Sequence, residues 1–370
     1  MKITHVISDS NVGGAGVLLE SIAKKLSGLF DIEILLPYDS ALSDRLDGSG
    51  AVIKELPMRA DQSFYMKDVD GFYRYFKEHP TNLLHTHASL GARLGGALAG
   101  IRPCVSTRHC AIPKDKVKKM SNMKRKVYTY CTDLTISTAD FATDNLIYEG
   151  VPKDKILTIK NGVESVTKIS EAEKLSLLRS LGIPRDATVI GSAARLEAVK
   201  AQDLIIRAVA RLTGRFDKLY LLLVGDGSQK EYYKALAARL GILSRVKFTG
   251  YVTSPAPYQN LFTINVNASR GTETSCLATS ECMSLGVPTV ASDFGGNAEM
   301  IKNGSDGILF RSDNLFDLEA KLRSLIESRE LRARLGDGAK KTHAERFSVD
   351  RMAEEYKNAY LSLADARSRV

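Results

Sequence analysis

Two doubly wound, Rossmann-like α/β domains are predicted by three features of this chain. Short apolar strands alternate with amphipathic helices, the alternation restarts after a strong turn, and 370 residues are too many for one ordinary core. A length of that order suggests two domains of roughly 100–200 residues each. In the first half, THVIS opens the series and leads through a glycine loop into a helix near 16–27. DIEILLP and AVIKELP follow, then a helix near 68–78, LLHTH, and a helix near 88–99. PCVST, a helix near 118–130, LTIS, a helix near 138–148 and ILTIK complete the set. Strands separated by helices argue for a parallel sheet with right-handed crossovers. Asn161-Gly162 is a turn pair, and beyond it the pattern begins again. ATVIGSAARL, KLYLLLVGDG, VKFTGYV, FTINVNAS, PTVASD and GILF are the second set of strands, with helices near 200–213, 228–240, 276–285 and 314–327. The segment 349–365 reads as a long helix with no strand after it, expected to cross back onto the first domain. The expected boundaries are 1–165, 166–348 and 349–370.

Composition narrows the class. Hydrophobic residues make up 44% and charged residues 26%, which is ordinary for a soluble globular enzyme. There is no low-complexity tract and no fixed repeat. KITHVIS reads as a strand without the apolar stretch of an export signal. No apolar run approaches the roughly 18 residues of a membrane span, and LGARLGGALAGI is short and broken by Arg93. The five cysteines (104, 110, 131, 276, 282) form no CxxC pair, so a reduced cytoplasmic setting with no zinc site is expected. Part of the net charge of +9 is concentrated in 113–128, where Lys114, Lys116, Lys118, Lys119, Lys124, Arg125 and Lys126 face one acid, Asp115. Such a run favours polyanions or an anionic membrane surface, and it equally fits a solvated helix face. No nucleic-acid motif accompanies it.

The most informative stretch is 268–299, where Glu273 and Glu281 stand at an E-x7-E spacing. Both acids fall near strand carboxyl ends, where doubly wound folds hold ligands. About two helical turns apart, they suit the two ends of one elongated, hydroxyl-rich ligand such as a nucleotide sugar. Arg195 and Lys200 flank a strand-to-helix loop. Two cations there can neutralise a departing diphosphate, arginine through its fork and lysine as a point charge; surface charge is the alternative. In the first loop, Gly13, Gly14 and Gly16 let the backbone approach a ligand beside a helix N-terminus, although Leu19 breaks the G-x-G-x-x-G pattern. VGDGSQK, with Gly225, lacks the third glycine of a dinucleotide fingerprint, and GYV, with Tyr251 and Val252, is placed to line a base pocket. His85 and His87 end one strand and His109 follows another. A third metal ligand with supporting spacing is not apparent, so no metal site is expected. Asp68-Val69-Asp70 reads D-x-D, but its place before GFYRYF fits N-terminal capping and the helix dipole better.

Together the first glycine loop, Arg195 with Lys200, Glu273-x7-Glu281 and G-G-x-x-E at 295–299 resemble the family 4 retaining glycosyltransferases of bacterial type and GT-B fold, over nearly the whole chain. In that fold two Rossmann-like domains face across a cleft. The resemblance implies that Glu273 holds donor-sugar hydroxyls and that the amides of Thr274, Ser275 and Cys276 face the sugar and phosphates. It implies that Glu281 binds the ribose hydroxyls and that Arg195 and Lys200 clamp the diphosphate. Gly16, with Gly14 beside it, matches the first-loop glycine next to the phosphates, and His109 the histidine near the sugar's C6 side. Asn161-Gly162-Val163-Glu164 resembles the turn before the second domain. Two departures stand out. Thr274-Ser275-Cys276 replaces the common G-F-G, and Ala194 replaces a glycine before Arg195. Both narrow the sugar pocket and leave the donor sugar open.

The implied activity is transfer of a hexosyl or N-acetylhexosaminyl group from a nucleotide diphosphate sugar, uridine favoured on family frequency, with retention of configuration. The acceptor is a hydroxyl, with a lipid-linked or cell-surface glycan precursor suggested by the basic run in the acceptor-facing half. No cofactor and no metal are expected, since the nucleotide sugar is a substrate. The expected location is cytoplasmic, peripheral on the inner face of the cell membrane. Two other classes compete: a dinucleotide-dependent oxidoreductase, disfavoured by the absent fingerprint, and a non-enzymatic protein binding polyanions or membranes.

Overall fold

The computed structural model describes residues 1–112, 116–271 and 273–368, so Lys114 and Asp115 of the basic run lie outside the described residues. The chain separates into two compact units, one of Met1–Val163 with Val349–Val370 and one of Glu164–Ser348.

The first unit is built on a seven-stranded parallel sheet. Its strands are β1 (Lys2–Ile7), β2 (Asp31–Pro37), β3 (Val52–Leu56), β4 (Leu83–His87), β5 (Cys104–Arg108), β6 (Leu134–Ser137) and β7 (Ile156–Thr158), in the spatial order β3-β2-β1-β4-β5-β6-β7. Helices α1 (Gly14–Leu26), α2 (Leu42–Leu46), α3 (Met66–Glu78), α4 (Leu90–Leu98), α5 (Asn122–Cys131) and α6 (Asp140–Glu149) connect them. Central parallel strands are covered on both faces and so read as continuous apolar runs. β1 and β4 depart from that rule, because Thr4, His5, His85, Thr86 and His87 are all buried in them. Buried polar groups at the centre of a sheet must find partners, and those partners matter below.

The second unit carries a six-stranded parallel sheet of β8 (Thr188–Ala193), β9 (Leu219–Val224), β10 (Val246–Phe248), β11 (Ile264–Asn267), β12 (Thr289–Ser292) and β13 (Gly307–Phe310). Its order, β10-β9-β8-β11-β12-β13, reverses direction between β8 and β11. The loops leaving those two strands therefore diverge to opposite faces and open a crevice at their carboxyl ends. The helices are α7 (Glu171–Ser180), α8 (Gln202–Thr213), α9 (Lys230–Arg239), α10 (Ala256–Gln259), α11 (Leu277–Leu285), α12 (Asn297–Met300), α13 (Leu315–Glu327) and α14 (Arg329–Thr342), the last running into a π-helical turn at His343–Phe347.

The closing helix, α15 (Val349–Ser368), belongs to the first unit. Val349, Met352, Ala353, Tyr356 and Tyr360 form one stripe along it, at the spacing of a single helix face. That stripe is buried with Leu18, Ile22, Leu26 and Phe30. The chain leaves this unit at Val163 and re-enters beside it, with the Val349 amide donating to the Val163 carbonyl at 3.2 Å.

Several local expectations change. The helix expected near 118–130 begins at Asn122, because Ser121 caps it by accepting from the Lys124 amide at 3.3 Å. Lys118 and Lys119 therefore precede it. Asp68 is not the N-cap of α3, which starts two residues earlier after Tyr65; it stands in the first turn, where the helix dipole favours an acid, and its carboxylate accepts from the Arg59 amide at 3.1 Å. Asp70 pairs with Arg74 one turn on. The helices α2, α7, α10, α12 and α14 are additional. The start of α7 was readable, since Ser170 and Glu173 form a reciprocal capping box.

Tyr360→Ala is expected to destabilise the first unit by about 3–5 kcal/mol, as for other large aromatic truncations in a core. Tyr360→Phe, which loses only a hydroxyl hydrogen bond, is expected to cost about 1 kcal/mol. Urea denaturation of both variants checks this. Equal stability of Tyr360→Ala and the native chain would remove α15 from that core.

Candidate active site

The centre of the second unit's crevice is an ion pair. β8 ends at Ala193 and its loop carries Arg195 and Lys200 to the mouth of α8; β11 ends at Asn267 and its loop carries Glu273. Lys200 Nζ donates to Glu273 Oε2 at 2.7 Å. Ser269 Oγ donates to the same oxygen at 2.7 Å. The Glu273 side chain is only 7% exposed and that of Lys200 19%. Burial would lower the affinity of Lys200 for its proton, but the Glu273 carboxylate and its hydrogen bond outweigh that and hold the pKa above the ordinary lysine value. Arg195 acts in the opposite sense on Lys200, so the two cations feel each other across the loop. The Arg195 side chain is exposed, and its carbonyl accepts from Gln202 Nε2 at 2.9 Å. Cys276 lies beside this pair. Burial, reinforced by Glu273, pushes its thiol up to about 11, so it is a neutral group at pH 7.

The backbone around Glu273 is set by two glycines from the loop after β12. Gly295 has φ +55, and a Cβ on it would stand 2.6 Å from the Glu273 carbonyl oxygen. A Cβ on Gly296 would stand 1.6 Å from the Thr274 carbonyl oxygen, and its amide donates to the Glu273 carbonyl at 3.0 Å. Only glycine lets these two loops touch. A closed set of buried amides and hydroxyls locks them further. Asn267 Nδ2 donates to Asn297 Oδ1 at 2.8 Å, Asn297 Nδ2 to Ser292 Oγ at 3.0 Å, and Ser292 Oγ to the Ser269 carbonyl at 2.6 Å.

Glu281 sits in α11, in the second turn, separate from the Lys200–Glu273 pair. Its Oε2 accepts from Gln259 Nε2 at 2.7 Å, and Gln259 is fully buried. Thr274 is buried, while Ser275 and Cys276 are partly exposed on the approach to α11. Gly225, at φ +133, bridges to Gly250, and a Cβ on it would meet the Ala194 carbonyl at 2.2 Å. Tyr251 is 69% exposed, and Val252 is half-buried against the core. Ser269, Asn267, Asn297, Ser292 and Gln259 were not singled out from sequence. For Asn267 and Ser292 the one signal is a polar residue ending an apolar strand, as in INVN and TVAS; Ser269, Asn297 and Gln259, in a loop and two short helices, carry none.

In the first unit, Gly14 opens α1 and is exposed. Gly16 is buried, and a Cβ there would meet Leu42 Cδ2 at 2.2 Å, so its smallness serves the packing of α1 on Leu42. His109 follows β5 and belongs to a buried cluster. His5 Nδ1 and His87 Nε2 lie 3.1 Å apart, and His87 Nδ1 and His109 Nε2 2.9 Å apart. His85 bonds Tyr360 Oη through Nδ1 and Thr107 Oγ1 through Nε2, both at 2.7 Å. Burial lowers all four: His5 to about 3, His109 to about 4, His85 and His87 well below the ordinary value. His5 is a third imidazole that the sequence reading did not bring to His85 and His87. One ligand atom from each of the three lies within 4.8 Å of the others. A metal would need a nitrogen from each, and His85 has both of its nitrogens committed. Among the basic run, Lys116, Lys118, Lys119, Lys124, Arg125 and Lys126 are exposed. Met123, Ile147 and Tyr148 are exposed as well, and Lys119 Nζ lies 5.7 Å from the Tyr148 ring centre.

Two family models match consecutive stretches of the chain, Glycosyltransferase Family 4 at residues 12–167 and Glycosyl transferases group 1 at residues 174–342. The chain belongs to the family 4 glycosyltransferases. It is 32% identical over 240 residues to a D-inositol 3-phosphate glycosyltransferase of Stackebrandtia nassauensis, covering 61% of this chain but about half (52%) of that relative. It is 28% identical over 239 residues to an uncharacterized glycosyltransferase of Methanocaldococcus jannaschii, covering 63% of this chain and 60% of the relative. A longer match, 26% over 398 residues, is to the D-inositol 3-phosphate glycosyltransferase of Streptomyces bingchenggensis, covering 96% of this chain and 86% of that one. Among solved structures, Anabaena Alr3699/HepE in complex with UDP-glucose superposes with a TM-score of 0.84 at 22% identity, covering 98% of this chain and 100% of that one. A Rickettsia africae glycosyltransferase gives 0.83 at 18% identity, covering 98% of each. These two likenesses establish the fold.

Gly296→Ala forces the Thr274 carbonyl aside and moves Glu273 with it. Turnover of a nucleotide sugar is expected to fall by about 100-fold, the rate cost of a displacement near 1 Å at a reacting centre. Nucleotide release checks this; unchanged turnover in a folded variant would show that the two loops do not set the site.

Proposed function

We propose that this protein transfers a hexosyl or N-acetylhexosaminyl group from a UDP-sugar to an acceptor hydroxyl with retention of configuration. The observation that carries the reading is the buried Lys200–Glu273 pair at the point where the second unit's strand order reverses. A donor's diphosphate is drawn to Lys200 and Arg195, and the sugar hydroxyls are read by Glu273. Glu281, steadied by Gln259, takes the ribose hydroxyls. The amides of Thr274, Ser275 and Cys276 face the sugar and phosphates, and Gly225, Tyr251 and Val252 line the base. His109 and the Gly14–Gly16 loop are proposed donor contacts from the first unit.

The reaction is read as front-face displacement. The bond between the anomeric carbon and the diphosphate oxygen breaks as the acceptor oxygen bonds to that carbon on the same side. The acceptor's proton passes to a donor phosphate oxygen. No protein carboxylate needs to act as nucleophile, and the protein supplies position and charge. Arg195 and Lys200 stabilise the diphosphate as it gains charge, which is the role a divalent metal plays elsewhere, and we propose that none is required. A fixed cation in a water-poor crevice is worth more than in bulk water. The acceptor is proposed to be a lipid-linked or cell-surface glycan precursor. Support comes from the exposed cations of 116–126 mixed with exposed Met123, Ile147 and Tyr148, a pattern suited to an anionic membrane surface. Among the described residues no helix is long and apolar enough to cross a membrane.

Lys200→Ala and Glu273→Ala are each expected to lower turnover by at least ~100-fold, as for loss of a charge-stabilising contact. Nucleotide release measured over a panel of nucleotide sugars tests donor and site together, and near-native turnover in both variants would reject the assignment. Liposomes rich in anionic lipid are expected to retain the protein at low salt and to release it as salt rises. Failure to retain it at low salt removes the membrane reading.

A further inference from the structure

The buried imidazoles of the first unit have a direction. His5, on β1, and His87, at the end of β4, are bonded through His5 Nδ1 and His87 Nε2. His87 and His109 are bonded through His87 Nδ1 and His109 Nε2. Their rings are nearly stacked, with interplanar angles of 17° and 22°. A neutral imidazole carries one N–H and one bare nitrogen. If His87 donates from Nδ1 to His109, its Nε2 is bare and must accept from His5 Nδ1–H. If instead it donates from Nε2 to His5, its Nδ1 is bare and must accept from His109 Nε2–H. These are the two arrangements that keep both hydrogen bonds among neutral rings.

The far end decides between them. His5 Nε2 is buried and has no hydrogen-bond partner among the described residues. In the first arrangement that atom is a bare nitrogen; in the second it is an N–H. Orphaned buried N–H groups are rarer in folded proteins than under-satisfied acceptors. We propose that His5 and His87 form a one-way hydrogen-bond relay, His5 to His87 to His109, that fixes the tautomer of His109 with its proton on Nδ1 and Nε2 bare. His5 and His87 are positioning residues that act through His109. The other histidine of β4, His85, takes no part in these bonds, since its two nitrogens bond Tyr360 and Thr107. The consequence for the reaction rests on His109 meeting the donor sugar. A fixed tautomer then gives it one hydrogen-bonding sense there, and a tautomeric mixture would spend half the molecules in the other.

The tautomers are read directly by long-range proton–nitrogen correlation NMR on the full chain labelled with 15N-histidine at neutral pH, with His109 assigned from the spectrum of His109→Gln. His109 is expected with a protonated Nδ1 and a bare Nε2, and His87 and His5 with the same pattern. A protonated Nε2 on His109, or an even mixture, overturns the relay whether or not the protein transfers sugar. The second arm is kinetic. His5→Leu is expected to produce mixed tautomers at His109 and to lower kcat roughly tenfold with donor KM little changed, the low end of what an outer orienting partner contributes. His5→Gln, whose amide keeps a donor, is expected to restore most of that loss. An unaltered His109 spectrum in His5→Leu, or equal kcat in the Leu and Gln variants, overturns the positioning role.

Discussion

The ion pair between Lys200 and Glu273 is the constraint on which the second unit's site depends. Two charges are held out of water at the carboxyl ends of adjacent strands, at a cost that pairing in place of apolar packing does not reliably recover. Each charge is committed in advance, since a lysine with one hydrogen bond and a carboxylate with two cannot relax into other rotamers freely. Such preorganisation is what an electrostatic site needs, because the dipoles and charges are already arranged before charge moves. The surrounding structure serves it. Gly295 and Gly296 let one loop lie on the other at carbonyl contact, and the Asn267–Asn297–Ser292 network ties both loops to the sheet.

A second pattern runs through the first unit. A doubly buried parallel sheet favours apolar strands, yet β1 and β4 bury three imidazoles at the centre. Burial favours their neutral form; His5 bonds His87, while His85 bonds Tyr360 and Thr107. The closing helix takes part, with Tyr360 bonding His85 while its stripe packs on α1. This helix thus contributes both apolar area and one polar partner to a core assembled from residues at the two ends of the chain.

Much of this was legible in the sequence. All thirteen strands stand where apolar runs bounded by turn residues placed them, because in a buried parallel sheet the local pattern and the tertiary demand agree. The E-x7-E spacing and Gly295-Gly296 were legible as motifs, although the reason for the glycines, contact with the Glu273 and Thr274 carbonyls, needed coordinates. What the sequence concealed is long-range. Nothing local links His5 to His87, eighty-two residues apart, or Gln259 to Glu281 across two elements. Gly16, read as a ligand-approach glycine, also makes room for Leu42, a neighbour that no local pattern reveals. In each case a distant neighbour, absent from any window of sequence, supplies the contact.

The most direct test is a crystal structure of the protein with a bound UDP-sugar. The account predicts diphosphate oxygens within hydrogen-bonding reach of Lys200 Nζ, sugar hydroxyls on the Glu273 carboxylate, and ribose hydroxyls on Glu281. A nucleotide sugar seated elsewhere, with the Lys200–Glu273 bond intact and untouched by it, would contradict the account.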